Sequence, residues 1–547
     1  MSSVLIKNAT IVDGTGAPPF SGHVLIDGSS IAGISVAGMP PPSADVVVEA
    51  SGMVVSPGFI DMHSHSDWTL PLPDHDIPLK CLVEQGVTTI IGGNCGFSPA
   101  PFTEKTRRAL NAEQFNLLSD RPLSFKWQTF GEYMGFVAKA RPIVNCANLA
   151  GHASIRLAAA DTPRGVLSAH EMAACREWVH EAFDAGACGI SFGLGYEPGM
   201  FSPISEIEAF CRVAAKAGKL VTVHLKALSR VSPTYSPFYP FAHNVRALRE
   251  ILAVARQTGV KLQISHLIFV GRRSWSTAEK CIGMIESEQR RGVDVMFDAF
   301  PYTCGNTTIN AVLPYWFLAR LPDAYGSRWA RARLKAELAF GFRLVGFSFR
   351  DLQVMDAGAR GWESINGMRV DELARLWKIS PYDAILKLSR VTAGNAVMLL
   401  HTYSGAPGNE AVLDRVLTHG SCLFQTDAFY RYGGYPNPAA KGTFPRLLGS
   451  YVRRRRLLTM EAAIHRMTGA SAERFSINNR GVLQKGKAAD IVVFDPKTID
   501  DAPPVGKAPA GRPKGICHVW INGVRVVRDG RYVDGVRAGK PLAAGYS

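Results

Sequence analysis

Residues Pro57 to Asp67 read PGFIDMHSHSD, placing His63 and His65 two positions apart directly after an apolar run with the character of a buried strand. Side chains of a strand alternate between faces, so the two imidazoles point the same way. Neutral imidazoles converging at a strand end suit a divalent metal such as zinc, and the carboxyl ends of parallel strands are where barrel enzymes carry out chemistry. This segment makes a metal-dependent hydrolase the first hypothesis.

The rest of the chain supplies a matching frame. Eight candidate strands alternate with helix-like segments, the pattern of a parallel α/β architecture. They end near His65 (VVSPGFIDMHSH), Cys95 (VTTIIGGNC), His152 (IVNCANLAGH), Gly195 (ACGISFGLG), His224 (LVTVH), His266 (KLQISH), Ala299 (VDVMFDA) and Asp427 (CLFQTD). In a TIM-type barrel all these ends meet on one face, and, His152 set aside, five of them carry a metal-capable side chain. Short β-rich segments with Gly, Asp and Asn turn signals open the chain, in VLIKNATIVDG and HVLIDGSSIAGI, and return at its end in ADIVVFDP and HVWINGVRVVRDG. The expected architecture is a distorted TIM barrel over residues 57–476 and a small β-sandwich domain built from residues 1–56 and 477–547. An inserted subdomain at about 303–350 precedes the last barrel strand.

With 547 residues, 47% hydrophobic and 20% charged, the chain can bury a large core and is globular rather than disordered. Its first residues, MSSVLIKNATIVDGTG, lack the pattern of a secretory signal, and no run approaches the roughly 18 apolar residues of a membrane span. A cytoplasmic location without a membrane partner is therefore expected. Ten cysteines at irregular intervals, with no CxxC pair, do not make a disulfide framework. The net charge of +15 is dispersed, and the one dense run, Arg453 to Arg456, precedes a helix-like segment and reads as a solvated or helix-flanking face. No recognition helix, aromatic–basic platform or zinc-finger spacing accompanies it, so no nucleic-acid partner is expected.

An isolated histidine beside an apolar run is ordinarily a hydrogen-bonded core residue. His224 and His266 gain weight because they close successive strands after a His-x-His pair. Cys95 sits in the Gly-rich GGNCG, where backbone can pass close to a ligand and a thiolate near a metal has a lowered pKa. Asp427 could bind the metal and take a proton from attacking water, or serve as a turn or helix-capping aspartate. His75, His152, His419 and His465 read as surface or hydrogen-bonded histidines rather than ligands, and of these only His152 ends a candidate strand, in a position to touch substrate.

Taken together these residues resemble the amidohydrolase superfamily and, within it, the N-acyl-D-amino-acid deacylase (D-aminoacylase) family. NATIVDGTG, PGFIDMHSHSD, GGNCGFSPAP, GHASIR, GLGYEPG, DAFPYT, GTFPRLLGSYVR and RGVLQKGKAADIVVFDP occur in the family's order over nearly the whole chain. The resemblance implies one tightly held zinc on Cys95, His224 and His266, with Cys95 in the bridging role that a modified lysine has in most binuclear relatives. It also implies a weaker second metal site and the acid–base element from His63, His65 and Asp427. The implied reaction is hydrolysis of a small-molecule amide, with Asp427 accepting a proton from water and returning it to the leaving amine. Tyr196 of GLGYEPG matches the family's substrate-side tyrosine, and Tyr302 of DAFPYT lies where a lid begins.

Three departures stand out: Leu267 and Ile268 where the family has histidine and lysine, Ala428 where it has glycine, and Asn437, Pro438 and Ala439 where it has His-Pro-Arg. They spare every implied ligand and fall in pocket-forming loops. The chemistry is therefore expected to be the family's, on an N-acyl-D-amino acid or another carboxylate-bearing amide. Lys226, Arg431 or Lys441 could supply the counter-charge. A hydantoinase-like cyclic-amide hydrolase and a catalytically inactive barrel used for assembly are the rivals; Cys95 counts against the first and the complete ligand set against the second. Stereochemistry and oligomeric state are left open by the sequence.

Overall fold

The computed structural model describes residues 3–110, 112–236, 241–504 and 510–544. Its centre is a ring of eight parallel strands: Phe59–Asp61, Val87–Gly92, Asn145–Asn148 with its continuation Ala150–Gly151, Gly189–Gly193, Leu220–His224, Lys261–Ile264, Val295–Ala299 and Cys422–Phe424. Nearly every residue of these strands is buried, as expected for a parallel sheet covered by helices. The helices present apolar stripes at helical spacing: Ile204–Lys216 buries Ile207, Phe210, Cys211 and Ala214, and His243–Thr258 buries Leu248, Ile251, Leu252 and Ala255.

The ring is broken in two places, which is the distortion. The third strand splits at Leu149, so that Asn148 pairs with Gly92 on one side while Ala150 pairs with Ile190 on the other. Between the eighth and first strands no ladder forms. The seam is closed by one backbone bond, Asp427 N to His63 O at 3.1 Å, and by the buried Asp61 carboxylate, which accepts from Thr426 N at 2.9 Å and Thr426 Oγ1 at 2.6 Å.

Strands from both chain ends form one nine-stranded sheet. Ile491–Phe494 pairs antiparallel with Val54–Pro57, joining the two ends through residues that lead straight into the first barrel strand. The strands make a single continuous hydrogen-bonded sheet, not two separately bonded layers, and Ile6, Ile11, Val24, Val55, Ile491 and Trp520 pack in a core of its own.

Between the seventh and eighth barrel strands lies a subdomain larger than the 303–350 expected. Its antiparallel sheet orders Cys304–Thr308, Val397–His401 and Leu352–Asp356, so it cannot end at 350: the central strand comes last in sequence. Helices Arg328–Val345, Val370–Trp377 and Pro381–Val391 cover a core that includes Phe317, Leu334, Leu352, Ile385 and Met398. Two backbone bonds, Gly271 N to Thr402 O and Ser404 N to Phe269 O, tie it to the loop after the sixth barrel strand.

All ten cysteines are free thiols. In the basic run, Arg453 and Arg454 pair with Asp500, and Arg455 pairs with Asp414. No helix among the described residues is long and apolar enough to cross a membrane.

Candidate metal centre

At the carboxyl face of the barrel six side chains from five chain segments converge. Cys95 Sγ lies 3.3 Å from His63 Nε2, 3.4 Å from His266 Nε2 and 3.7 Å from His224 Nδ1. His224 Nδ1 and His266 Nε2 are 2.9 Å apart. Opposite them, Asp427 Oδ1 stands 3.4 Å from both His63 Nε2 and His65 Nε2. All are buried or nearly so; the Asp427 side chain is 15% exposed and opens to the barrel mouth.

These separations test whether the set fits a cation. Sulfur and nitrogen ligands about 2.0–2.3 Å from one tetrahedral zinc lie about 3.3–3.8 Å from each other. The thiol-to-imidazole distances fall in that interval, the His224–His266 nitrogen pair at 2.9 Å is closer than it, and the donor atoms of His63, Cys95, His266 and Asp427 lie within 4.8 Å of one another. One thiol, four imidazoles and one carboxylate facing inward are too many mutually directed donors and acceptors to be satisfied by hydrogen bonds alone. The donor set suits a divalent cation such as zinc.

Charge reinforces the fit. Burial alone would raise the Cys95 thiol, yet the positive fields of His63 and His266 and hydrogen bonds from His224 and His266 hold it well below its ordinary value. Burial likewise opposes ionisation of Asp427, but His266, His65 and His63 keep its carboxyl below the usual range. His65 responds in the other direction: burial would lower it, but the hydrogen bond to Asp427 and the Cys95 thiolate lift it to about 9. The raised His63, His65 and His266 imidazoles balance the two anions, a role a bound cation would take over, while burial and the charge of His266 lower His224.

Three of the six residues hold unusual backbone: Cys95 at φ 53°, His266 at 31° and Asp427 at 45°, the left-handed region that non-glycine residues rarely occupy. Such conformations persist where the surroundings over-determine them. At Cys95 the surroundings are visible: the Tyr196 hydroxyl donates to Cys95 O at 2.6 Å, and Gly193 leaves room for that carbonyl, which a Cβ would strike.

The profile of the amidohydrolase family matches residues 46–264 and 422–527, leaving out the inserted subdomain. An N-acyl-D-glutamate deacylase from Alcaligenes xylosoxydans xylosoxydans is 32% identical over 530 residues, covering 96% of this chain and 93% of its own. The chain belongs to the amidohydrolase family. A D-aminoacylase of the same organism is 29% identical over 540 residues, covering 99% of this chain and 97% of the relative. Among solved structures, N-acyl-D-glutamate deacylase from Bordetella bronchiseptica, complexed with zinc and a phosphonate that mimics the tetrahedral intermediate, superposes with a TM-score of 0.79 at 29% identity over 99% of each chain. An L-hydantoinase from Arthrobacter aurescens, at 16% identity and a TM-score of 0.57, shares the fold alone. This amidohydrolase is thus a hydrolase of the D-aminoacylase branch, with zinc-containing structural neighbours.

Around the ligand cluster of this amidohydrolase, several residues expected to meet substrate are engaged elsewhere. The third strand ends at Gly151 and a helix, His152–Ala159, begins at once, turning His152 into the layer outside the barrel. There its Nε2 meets Glu206 at 2.8 Å and its ring packs on Phe192 and Phe210. Tyr302 donates its hydroxyl to Asp501 at 2.9 Å, beneath the Arg446 guanidinium. Arg431 is buried in an ion pair with Asp356 at 2.9 Å and also donates to Asn116 O. Lys226 holds its ammonium 5.7 Å from the Tyr235 ring, and its pKa is lowered by burial. Lys441 donates to Ala510 O at 3.2 Å. Tyr196 alone of the expected substrate residues touches the cluster, its ring meeting that of His224 edge-on with centroids 4.8 Å apart.

Sequence reasoning missed Asp298 and Phe429. The buried Asp298 carboxylate accepts from His266 N at 2.7 Å and Gln263 Nε2 at 2.9 Å, and lies 3.5 Å from His63 Nδ1, so one group braces both sides of the centre. Strand alternation in VMFDA could have flagged an acid one residue before the strand end. Phe429 stacks on His65 with centroids 4.2 Å apart, and with Phe97 and Tyr196 forms an aromatic wall beside the ligands.

Proposed function

We propose that this amidohydrolase cleaves a non-peptide amide bond in an N-acyl-D-amino acid or a related carboxylate-bearing amide, using one tightly held zinc and a weaker second site. The observation that carries the reading is the triangle of Cys95, His224 and His266 facing the Asp427 carboxylate across His63. Cys95, His224 and His266 would hold the first ion; His63, His65 and Asp427 would offer the second site. Zinc, when bound, supplies polarisation of the acyl carbonyl and a water of lowered pKa.

The chain's own residues do the rest. Asp427 keeps Oδ1 against His63 and His65, which leaves Oδ2 to accept the proton of the attacking water and later to deliver it to the departing amine. The flanking imidazoles keep that carboxylate ionised and therefore able to act as a base. Phe97, Tyr196 and Phe429 offer the substrate an apolar wall that excludes water from the reacting amide. Residues 57–476 form the catalytic domain in this reading, and Lys226, outside the ligand set at the end of the fifth strand, is the candidate counter-charge for a substrate carboxylate.

The test is zinc content together with hydrolysis of a panel of N-acyl-D-amino acids, their L-forms and hydantoins. Turnover of the D-series with zinc bound supports the proposal. Turnover of hydantoins alone would replace it by the cyclic-amide reading, and a metal-free, inert protein would revive the inactive barrel.

A further inference from the structure

Helix Arg328–Val345 of the inserted subdomain directs one stripe, Ala330, Leu334 and Leu338, into its core. The opposite side is in solvent and is not polar: Trp329 is 58% exposed and Phe340 66%. Eleven positions are about three turns at 3.6 residues per turn, so the two rings stand on one line along the helix. The exposed Ala332, Ala336 and Ala339 fill the same side. Tyr315, 65% exposed, adjoins Trp316, whose ring lies 5.9 Å from Trp329 and extends the ridge.

Bases flank this ridge. The helix carries Arg328, Arg331, Arg333, Lys335 and Arg343 against a single acid, Glu337. Arg333 lies over the rings of Trp316 and Trp329, at 4.1 and 5.4 Å, while its guanidinium meets Glu337. Arg331 pairs with Asp383 at 2.7 Å. Arg328, Lys335 and Arg343 make no ion pair among the described residues. Beside them opens a cavity of about 250 Å³ lined by Arg328, Arg331, Lys335, Tyr382 and Asp383.

We propose that this face seats the enzyme on an anionic phospholipid surface. A helix with aromatic rings on its outward line and a row of bases, Arg328, Arg331 and Lys335, along one flank is the pattern of one lying in a membrane interface, rings in the headgroup boundary and cations among the phosphates. Tryptophan and tyrosine suit that boundary because one part of each ring system is apolar and the other polar. The cavity gives a phosphodiester headgroup a basic recess. A second copy of the chain is a poor occupant, because a two-fold contact would set the five bases against themselves. An acidic protein would need a concave surface matched to a convex ridge, which a fluid interface does not. No membrane partner was expected from the lack of a spanning segment, but a helix lying in the interface needs no span.

The experiment is flotation of the full-length protein with vesicles of phosphatidylcholine, alone or with phosphatidylglycerol, at low and high salt. Wild type is expected to float only with the anionic vesicles and to be released by salt. The Trp329→Ser/Phe340→Ser and Arg328→Gln/Lys335→Gln/Arg343→Gln variants are expected to bind at least about tenfold more weakly. Unchanged thermal midpoints and unchanged hydrolysis of a soluble amide show that both variants are folded. No flotation of wild type, salt-insensitive flotation, or variants that float like wild type would overturn the proposal. A dimer in sedimentation velocity that the aromatic variant abolishes, or binding to soluble polyglutamate in place of vesicles, would overturn it in favour of a second copy or an acidic polypeptide.

Discussion

The thiolate side of the metal centre and its carboxylate side rest on different scaffolds. His224 and His266 end adjacent strands joined by a full parallel ladder, from Leu220 with Lys261 to Val223 with Ile264. His63, His65 and Asp427 straddle the seam between the first and eighth strands, where one backbone bond and the Asp61 carboxylate replace a ladder. The first side is also the tighter, with two imidazole nitrogens 2.9 Å apart, while across the seam Asp427 stands 3.4 Å from both His63 and His65. In the proposed reading this is a division of labour: the laddered strands would hold an ion, and the seam would present the carboxylate that moves a proton.

The strongest way to break this contrast is to remove each anion in turn. Cys95→Ala is expected to lose the tight metal and essentially all turnover, whereas Asp427→Asn should keep the metal and lose about 10²–10⁴-fold in kcat. Metal analysis alongside kinetics separates them; full zinc in Cys95→Ala, or full turnover in Asp427→Asn, reverses the assignment. Asp298→Ala removes the brace common to both sides and is expected to weaken metal binding about 10–100-fold, read by competition with a chelator. Phe429→Ala, which strips the ring from His65, should shift KM or kcat by only about fivefold and leave metal content intact.

The smallest effect lies outside both sides and checks that acid inactivation is not read as metal loss. His75 and His401 are each pushed down to about 4, chiefly by burial. Their folded pKa lies below the unfolded value near 6.5, so the unfolded chain binds more protons between these limits, and stability falls as pH drops through that window. Each histidine contributes a slope of at most about 1.4 kcal/mol per pH unit. His401→Gln should flatten the dependence of thermal midpoint on pH between 6.5 and about 4; an unchanged slope would remove His401 as a source.

The barrel and the side chains that converge at its mouth are legible because buried strands leave long apolar runs and these residues follow those runs directly. All eight strands lie where the runs placed them. What stayed hidden depends on distant partners. Asp298 looks like one polar residue inside VMFDA until Gln263, Gln425 and His266 N gather on it. Tyr302 and Arg431 offered suitable chemistry, but Asp501 and Asp356 claim them. His152 is the hydrogen-bonded histidine the sequence favours, but not at the substrate face, since a strand that stops at Gly151 and turns directly into a helix carries its side chain to Glu206. The inserted subdomain was cut short because its sheet pairs sequence neighbours of Cys304 with a strand ending at His401.

The left-handed backbone at Cys95, His266 and Asp427 reaches beyond the present ligand set. Any residue installed at these positions inherits the torsion, which asparagine, aspartate or glycine accept and valine, isoleucine or threonine resist. Directed evolution toward a lysine-bridged centre therefore meets an obstacle in the main chain as well as in the side chain. Mutational drift at the rim is channelled toward short polar replacements, and libraries aimed at new metals should begin there.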